Sequence, residues 1–252
     1  MKRKMYVLGV AALMAALLAM SGVAQSAMWV GAELGGNFPL ATDLNINISG
    51  LPFPASGSLT GVGIRPSVIG GVTIGYDFVN SGFGGRAWPS WMQYFSFAMD
   101  LTYNRLEIRG NQNVGWTINQ PIQASGNIDL PGSFRLKGYE VAWTFLFMAH
   151  YGFLRDEVAP SGRINPYIGV GPAILWTGLE SSYFNRRADA TNVALVVEPG
   201  IRWVCFPNIS IDTAMRYRYA SPSHTYNFGA VSLESSKTLN QFAFLVRANY
   251  HF

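Results

Sequence analysis

The chain has almost no cysteine, only one long apolar run, and no basic cluster beyond its first few residues. Cys205 is the single thiol in 252 residues, so an internal disulfide is impossible. It does not follow the N-terminal apolar stretch, which also excludes a lipoprotein anchor. An exported chain pairs its cysteines or omits them, so a lone one is expected on a lipid-facing or turn position. Past the N-terminus the longest apolar-rich run is Val141–Ala149, interrupted by Thr144 and far short of the ~20 residues a membrane helix needs. Yet mean hydropathy is positive, at +0.16, and only 13% of residues are charged. Hydrophobicity scattered in small parcels can enter a bilayer only as a closed barrel, because lipid offers no partner for unpaired backbone groups.

The N-terminus reads as an export signal over residues 1–27. Lys2, Arg3 and Lys4 form a positive start, Val7–Met20 an apolar core, and Gly22–Ala27 a small-residue cleavage region. Ala24-Gln25-Ser26 fits the small-x-small pattern best, with cleavage after Ala24 or Ala27 as alternatives. Removing the signal takes three positive charges from the formal +4, leaving about +1, so the basic character belongs largely to the signal. No nucleic-acid-binding patch survives that subtraction. His150, His224 and His251 lie on separate segments without ligand spacing, so no metal site and no cofactor is expected.

What is present, from residue 28 to 252, is alternation with period two, the mark of strands with two unlike faces. In 68–78 the even positions are mostly large and apolar, the odd ones small or polar. Phe95, Phe97, Met99, Leu101 and Tyr103 oppose Ser96, Ala98, Asp100, Thr102 and Asn104. Tyr139, Val141, Trp143, Phe145 and Phe147 oppose Glu140, Ala142, Thr144, Leu146 and Met148. Leu195, Val197, Ile201 and Trp203 oppose Val196, Glu198, Gly200 and Arg202. Further on, Ile211 to Tyr219 oppose Asp212 to Arg218, and Phe242 to Phe252 oppose Gln241 to His251. Weaker strands at about 28–37 and 167–176 bring the total to eight, an even number as in single-chain bacterial barrels. The expected fold is all-β, an eight-stranded antiparallel transmembrane barrel in an up-and-down meander.

Connection lengths support this reading. Joins at 39–63, 109–133, 177–191 and 220–238 are long, and those at 79–90, 154–166 and 206–208 shorter, as with external loops and periplasmic turns. With both termini periplasmic, Tyr103, Tyr139, Trp176, Tyr217 and Tyr219 fall at the outer strand ends. Trp91, Tyr151, Trp203, Tyr250 and Phe252 fall at the inner ends. Two aromatic belts at two headgroup levels are the expected result.

The runs Pro166-Tyr167-Ile168-Gly169-Val170-Gly171, Glu198-Pro199-Gly200-Ile201-Arg202-Trp203, Asn208-Ile209-Ser210-Ile211-Asp212 and Tyr217-Arg218-Tyr219, in that order, resemble the small OmpA-like and opacity-protein-like outer-membrane barrels. The resemblance covers 28–252. It implies insertion by the barrel-assembly machinery, with Tyr250 and Phe252 as the terminal aromatic signal. Arg247 stands where that signal usually has glycine. It implies contact with outer-membrane lipid and lipopolysaccharide in the envelope of a Gram-negative-type cell. The peptidoglycan-binding domain of full-length OmpA proteins is expected to be absent.

The lumen-facing parity collects Glu33, Asp100, Glu140, Glu198 and Asp212 with Arg202, Arg216, Arg218 and Arg247. So narrow an interior is filled by its own side chains, and mixed charge of near balance suits a salt-bridged plug better than acid–base catalysis. Ser223-His224 with Glu234 is the one constellation with nucleophile chemistry. Eight-stranded lipid A deacylases carry His-x-Ser, whereas Tyr226 holds the serine's place after His224-Thr225. The external connections are rich in Gly, Ser, Asn and Pro; Leu51-Pro52-Phe53-Pro54 and Val114-Gly115-Trp116 would set apolar groups at their tips, as contacts for an external ligand or for each other. The expected protein is a non-enzymatic outer-membrane barrel anchoring surface loops, with a lipid A esterase and a narrow pore as the alternatives.

Overall fold

The computed structural model describes residues 28–252 apart from 51, 53–54, 79–87, 109, 111, 121–122, 132–135, 158, 160, 182–185 and 229–230. The expected export signal and Leu51, Phe53 and Pro54 thus lie outside the described residues. Among the described residues fourteen strands follow in order: β1 (Met28–Pro39), β2 (Thr42–Ser49), β3 (Ala55–Val62), β4 (Ser67–Asp77), β5 (Phe95–Ile108), β6 (Gln112–Gln120), β7 (Ala124–Leu130), β8 (Leu136–His150), β9 (Ile164–Ser181), β10 (Arg186–Phe206), β11 (Ile209–Ala220), β12 (Ser223–Phe228), β13 (Val231–Lys237) and β14 (Leu239–His251). Among the described residues no helix is long and apolar enough to cross a membrane.

Eight of these strands form a closed antiparallel barrel, β1-β14-β11-β10-β9-β8-β5-β4, with β4 returning to β1. The first and last strands close it in register from Trp29↔His251 to Pro39↔Gln241. Phe252 N donates to the Met28 carbonyl at 3.1 Å, so both ends of the described chain lie at one mouth. Closure satisfies every ladder group internally and leaves no sheet edge facing lipid.

Side-chain alternation then sorts the residues. Val72, Val170, Leu195, Phe244 and Val246 point outward and are exposed; Thr73, Asp100, Thr144, Glu198, Arg216 and Arg247 point inward and are buried. The outer surface is therefore an apolar belt and the interior a polar filling, the reverse of a soluble sandwich. Trp203, Tyr250, Trp91 and Tyr151 are exposed around the terminal mouth, and Tyr103 and Tyr219 at the far end. Trp91 lies in a 3-10 turn, Ser90–Tyr94, that leads into β5.

Inside, the barrel is narrow enough for side chains to need backbone relief. Gly75 sits opposite Trp29, and a Cβ there would lie 2.1 Å from the indole ring. Gly200, opposite Tyr167, makes the same allowance, since a Cβ would lie 2.5 Å from the phenol ring.

The structure corrects two expectations. The long joins are themselves largely strands: β2, β3, β6, β7, β12 and β13 make one six-stranded sheet, in the order β12-β13-β2-β3-β6-β7. Its alternation is legible in Leu44, Ile46 and Ile48 against Asn45 and Asn47, but polar residues too rich in Asn and Ser read as loop. Val114, expected at a loop tip with Trp116, is instead 1% exposed in β6. The second correction concerns the join at 177–191. There β9 and β10 stay paired out to Ser181 and Arg186, so the hairpin rises past the aromatic belt. Cys205 is half-buried near the end of β10, at a break in register between Val204 and Phe206, beside the Pro207-Asn208 turn. That agrees with a turn position.

Candidate functional site

Polar residues of the lumen form a filling of two hydrogen-bonded groups, a large one toward the terminal mouth and a smaller one beyond it. Arg216 of β11 lies at the centre of the large one. Its Nε donates to Glu198 Oε2 at 2.6 Å, and Nη2 and Nη1 donate to the two oxygens of Asp100 at 2.6 and 3.3 Å. Glu33 Oε1 is 3.7 Å from Nη1. Arg247 of β14 continues the chain of pairs. It donates to Glu33 Oε2 from Nε at 2.9 Å and from Nη2 at 2.7 Å, to Glu198 Oε1 at 3.2 Å, and to Asp212 Oδ2 at 3.4 Å. Bidentate guanidinium–carboxylate pairs give geometric definition as well as energy. Desolvated charges persist only where such partners surround them.

Towards the terminal mouth, Arg202 donates to both oxygens of Asp212, at 3.1 and 3.4 Å. It stacks over the Trp29 ring at 4.5 Å and reaches Asp77 Oδ1 at 3.5 Å. Tyr167 donates to Glu198 at 3.0 Å. Towards the far end, Arg218 donates to Glu140 at 2.5 Å, and Gln241 Nε2 donates to the other oxygen of Glu140 at 2.9 Å. Beyond that layer the filling turns apolar. Leu106 and Ile108 of β5, Val62 of β3, Ile64, Val114 of β6 and Leu130 of β7 are buried in one cluster.

All nine charged residues expected in the lumen are buried there, seven in one network and Glu140 with Arg218 in a separate pair. Sequence reasoning missed Trp29, Asp77 and Tyr167, which complete the filling, and Lys237. Asp77 occupies an odd position of the 68–78 alternation, so the parity that found Asp100 points to it as well. Lys237 falls in the 220–238 connection, and no local signal marks it as buried at 2% exposure.

Ser223, His224 and Glu234 are not assembled into a relay. Ser223 Oγ donates to Glu234 Oε1 at 2.7 Å. His224 follows it on the same strand and so projects to the opposite face. There it is 1% exposed, with Nε2 3.0 Å from Thr177 Oγ1 of β9. The imidazole pins the external hairpin to the barrel, since β12 packs against β10. Burial, and then the Lys237 ammonium, push the His224 pKa down to about 4, below its ordinary value near 6.5. The undocked hairpin therefore binds protons more readily than the docked one. Docking is at full strength above about pH 6.5 and weakens as pH falls toward 4. Amide exchange in β12 is expected to accelerate over that window, and His224→Gln to remove the dependence. A flat exchange profile between pH 7 and 4 would refute the latch.

No family model matches the sequence, and no curated protein does. Among solved structures the chain is similar to the outer membrane protein OprG from Pseudomonas aeruginosa, at 11% identity over 90% of this chain and 97% of that one, with a TM-score of 0.54. Looser likenesses are to Neisserial surface protein A, at 14% identity over 89% and 97% with a TM-score of 0.40, and to Ail, the attachment invasion locus protein of Yersinia pestis, at 12% over 90% and 100% with a TM-score of 0.32. Closed ladder, outward apolar belt and OprG-like architecture define the class: an integral eight-stranded β-barrel of the outer-membrane type.

Proposed function

We propose that this protein is a non-enzymatic surface anchor of the OmpA-like kind, a plugged barrel that holds its external sheet outward from the outer membrane. The observation that carries this reading is the pairing of all four arginines expected in the lumen with buried carboxylates, two of them, Arg216–Asp100 and Arg218–Glu140, across the barrel, which favours a plug over an open channel. Residues 1–27 act as the removed export signal, and Tyr250 and Phe252 as the mark read by the barrel-assembly machinery. The terminal mouth then faces the periplasm, and the six-stranded sheet faces outward above lipopolysaccharide. An external ligand would meet that sheet.

A planar-bilayer recording of the refolded protein tests the plug. Little or no steady conductance is expected; a large, stable conductance would replace the anchor with a narrow pore. The Ser223–Glu234 hydrogen bond keeps a lipid A esterase as the enzymatic alternative. Fatty-acid release from lipid A that is lost in Ser223→Ala would establish it, and none is expected.

A further inference from the structure

A cavity of about 310 Å³ lies at the terminal mouth, and its wall has two chemistries. Asp77, Ser96 and His150 supply a polar side, Phe78, Met148 and Val204 an apolar one. Arg202, Asn165 and Tyr167 also line the cavity, but their donors are engaged by Asp212, the Gly162 carbonyl and Glu198, which leaves acceptors on the polar side. Asp77 takes hydrogen bonds from Trp29 and Arg202 on Oδ1 alone. One ring nitrogen of His150 bonds the Phe95 backbone carbonyl, which makes the other, Nε2, a lone pair. That nitrogen has no partner among the described residues, and neither has the Oγ of Ser96, a residue with 0% exposure.

The charge behind this wall has the matching sign. The connected network at this end holds Glu33, Asp77, Asp100, Glu198 and Asp212 against Arg202, Arg216 and Arg247. Five carboxyl groups against three guanidiniums leave negative charge in excess among the described residues. Glu140 balances separately against Arg218 at the far end. Excess negative charge in a desolvated interior draws a counter-cation to the nearest accessible surface, which is this cavity. Arg202 does not oppose that attraction strongly, being held by Asp212 and stacked on Trp29.

We propose that the terminal mouth binds a small organic cation, a protonated amine with an apolar body. Its ammonium group donates to Asp77 Oδ2, His150 Nε2 and Ser96 Oγ, and its hydrocarbon part lies on Phe78, Met148 and Val204. A bare metal ion fits less well. No cluster of three His, Cys, Asp or Glu side chains suited to a metal occurs among the described residues, and an ion would leave the apolar wall unused.

The test titrates the refolded barrel in detergent micelles with butylammonium chloride, reading the His150 imidazole resonances. Sodium butyrate and sodium chloride at equal ionic strength are the controls. Saturable shifts are expected with butylammonium only. Asp77→Asn is expected to weaken binding about tenfold or more, the effect of losing a charge-assisted hydrogen bond. Because Asp77 also holds Trp29, Val204→Trp tests the site independently by filling its apolar side, and is expected to abolish the shifts while the barrel still forms. Absence of saturation, equal affinity in both variants, or the same shifts from sodium chloride would overturn the proposal.

Discussion

Arg216→Ala is expected to destabilise the barrel by about 3–5 kcal/mol, the usual cost of stranding buried charge. The guanidinium is 1% exposed and contacts three carboxylates: Asp100, Glu198 and Glu33. Removing it leaves all three desolvated, with Arg247 the remaining guanidinium on Glu33 and Glu198 and the Tyr167 hydroxyl on Glu198. Urea unfolding of the refolded protein, followed by heat-modifiable gel migration, measures the loss. Adding Asp100→Asn to Arg216→Ala should restore part of it, because the two residues share one interaction and their effects are not additive. Arg65→Ala is the contrast. Arg65 pairs with Glu107 at 3.5 Å but is about half exposed, and exposed pairs contribute about 0–1 kcal/mol. A loss in Arg216→Ala no larger than in Arg65→Ala would mean that the filling does not hold the barrel together.

The inward placement of that filling is legible in the sequence, and the reason is geometric. A barrel strand has two faces only, so a single parity assigns every residue of a strand once one lipid-facing position is known. Asp100 beside Leu101, and Arg216 beside Tyr217, give the phase of their strands without reference to partners. The pairing itself was not legible. Arg247 meets Glu33 because β14 closes on β1 in one register, and that register depends on strand stagger around the whole barrel. The external sheet escaped for a different reason. Its strands alternate Asn and Ser with Leu and Ile, and in water such segments are marginal until neighbouring strands cover one face. Leu44, Leu59 and Trp116 stand side by side across β2, β3 and β6, a juxtaposition made by the barrel strands that bring these joins together. Lys237 belongs to the same class of miss: it is buried at the end of β13, a strand placed by its pairing with β12 and β2.

Val72→Arg is expected to cost about 2–4 kcal/mol in the membrane, the range for a cation at the midplane of a barrel's lipid face. Val72 projects outward from the middle of β4, between Ala32 of β1 and Leu101 of β5, and 54% of it is exposed. By surface exposure alone the substitution would be harmless. In water a valine of this exposure could become arginine with little effect, since surface changes away from special features usually fall within about ±0.5 kcal/mol. The size of the effect therefore reports the solvent around the belt. Depth supplies the internal check. Tyr219→Arg lies on the same outer face at the far end of β11, at 46% exposure, where the cost should fall to about 0–1 kcal/mol at the interface. Thr73→Ser, one residue from Val72 but inside the lumen, should be nearly silent, because its hydroxyl has no hydrogen-bond partner among the described residues to lose. Refolding into lipid vesicles with urea titration measures all three. A cost that is large for Val72 and small for the other two requires lipid at mid-strand, headgroups at the strand end and protein within. Equal, small costs at Val72 and Tyr219 would instead mean that water bathes the belt, and the membrane reading would fall.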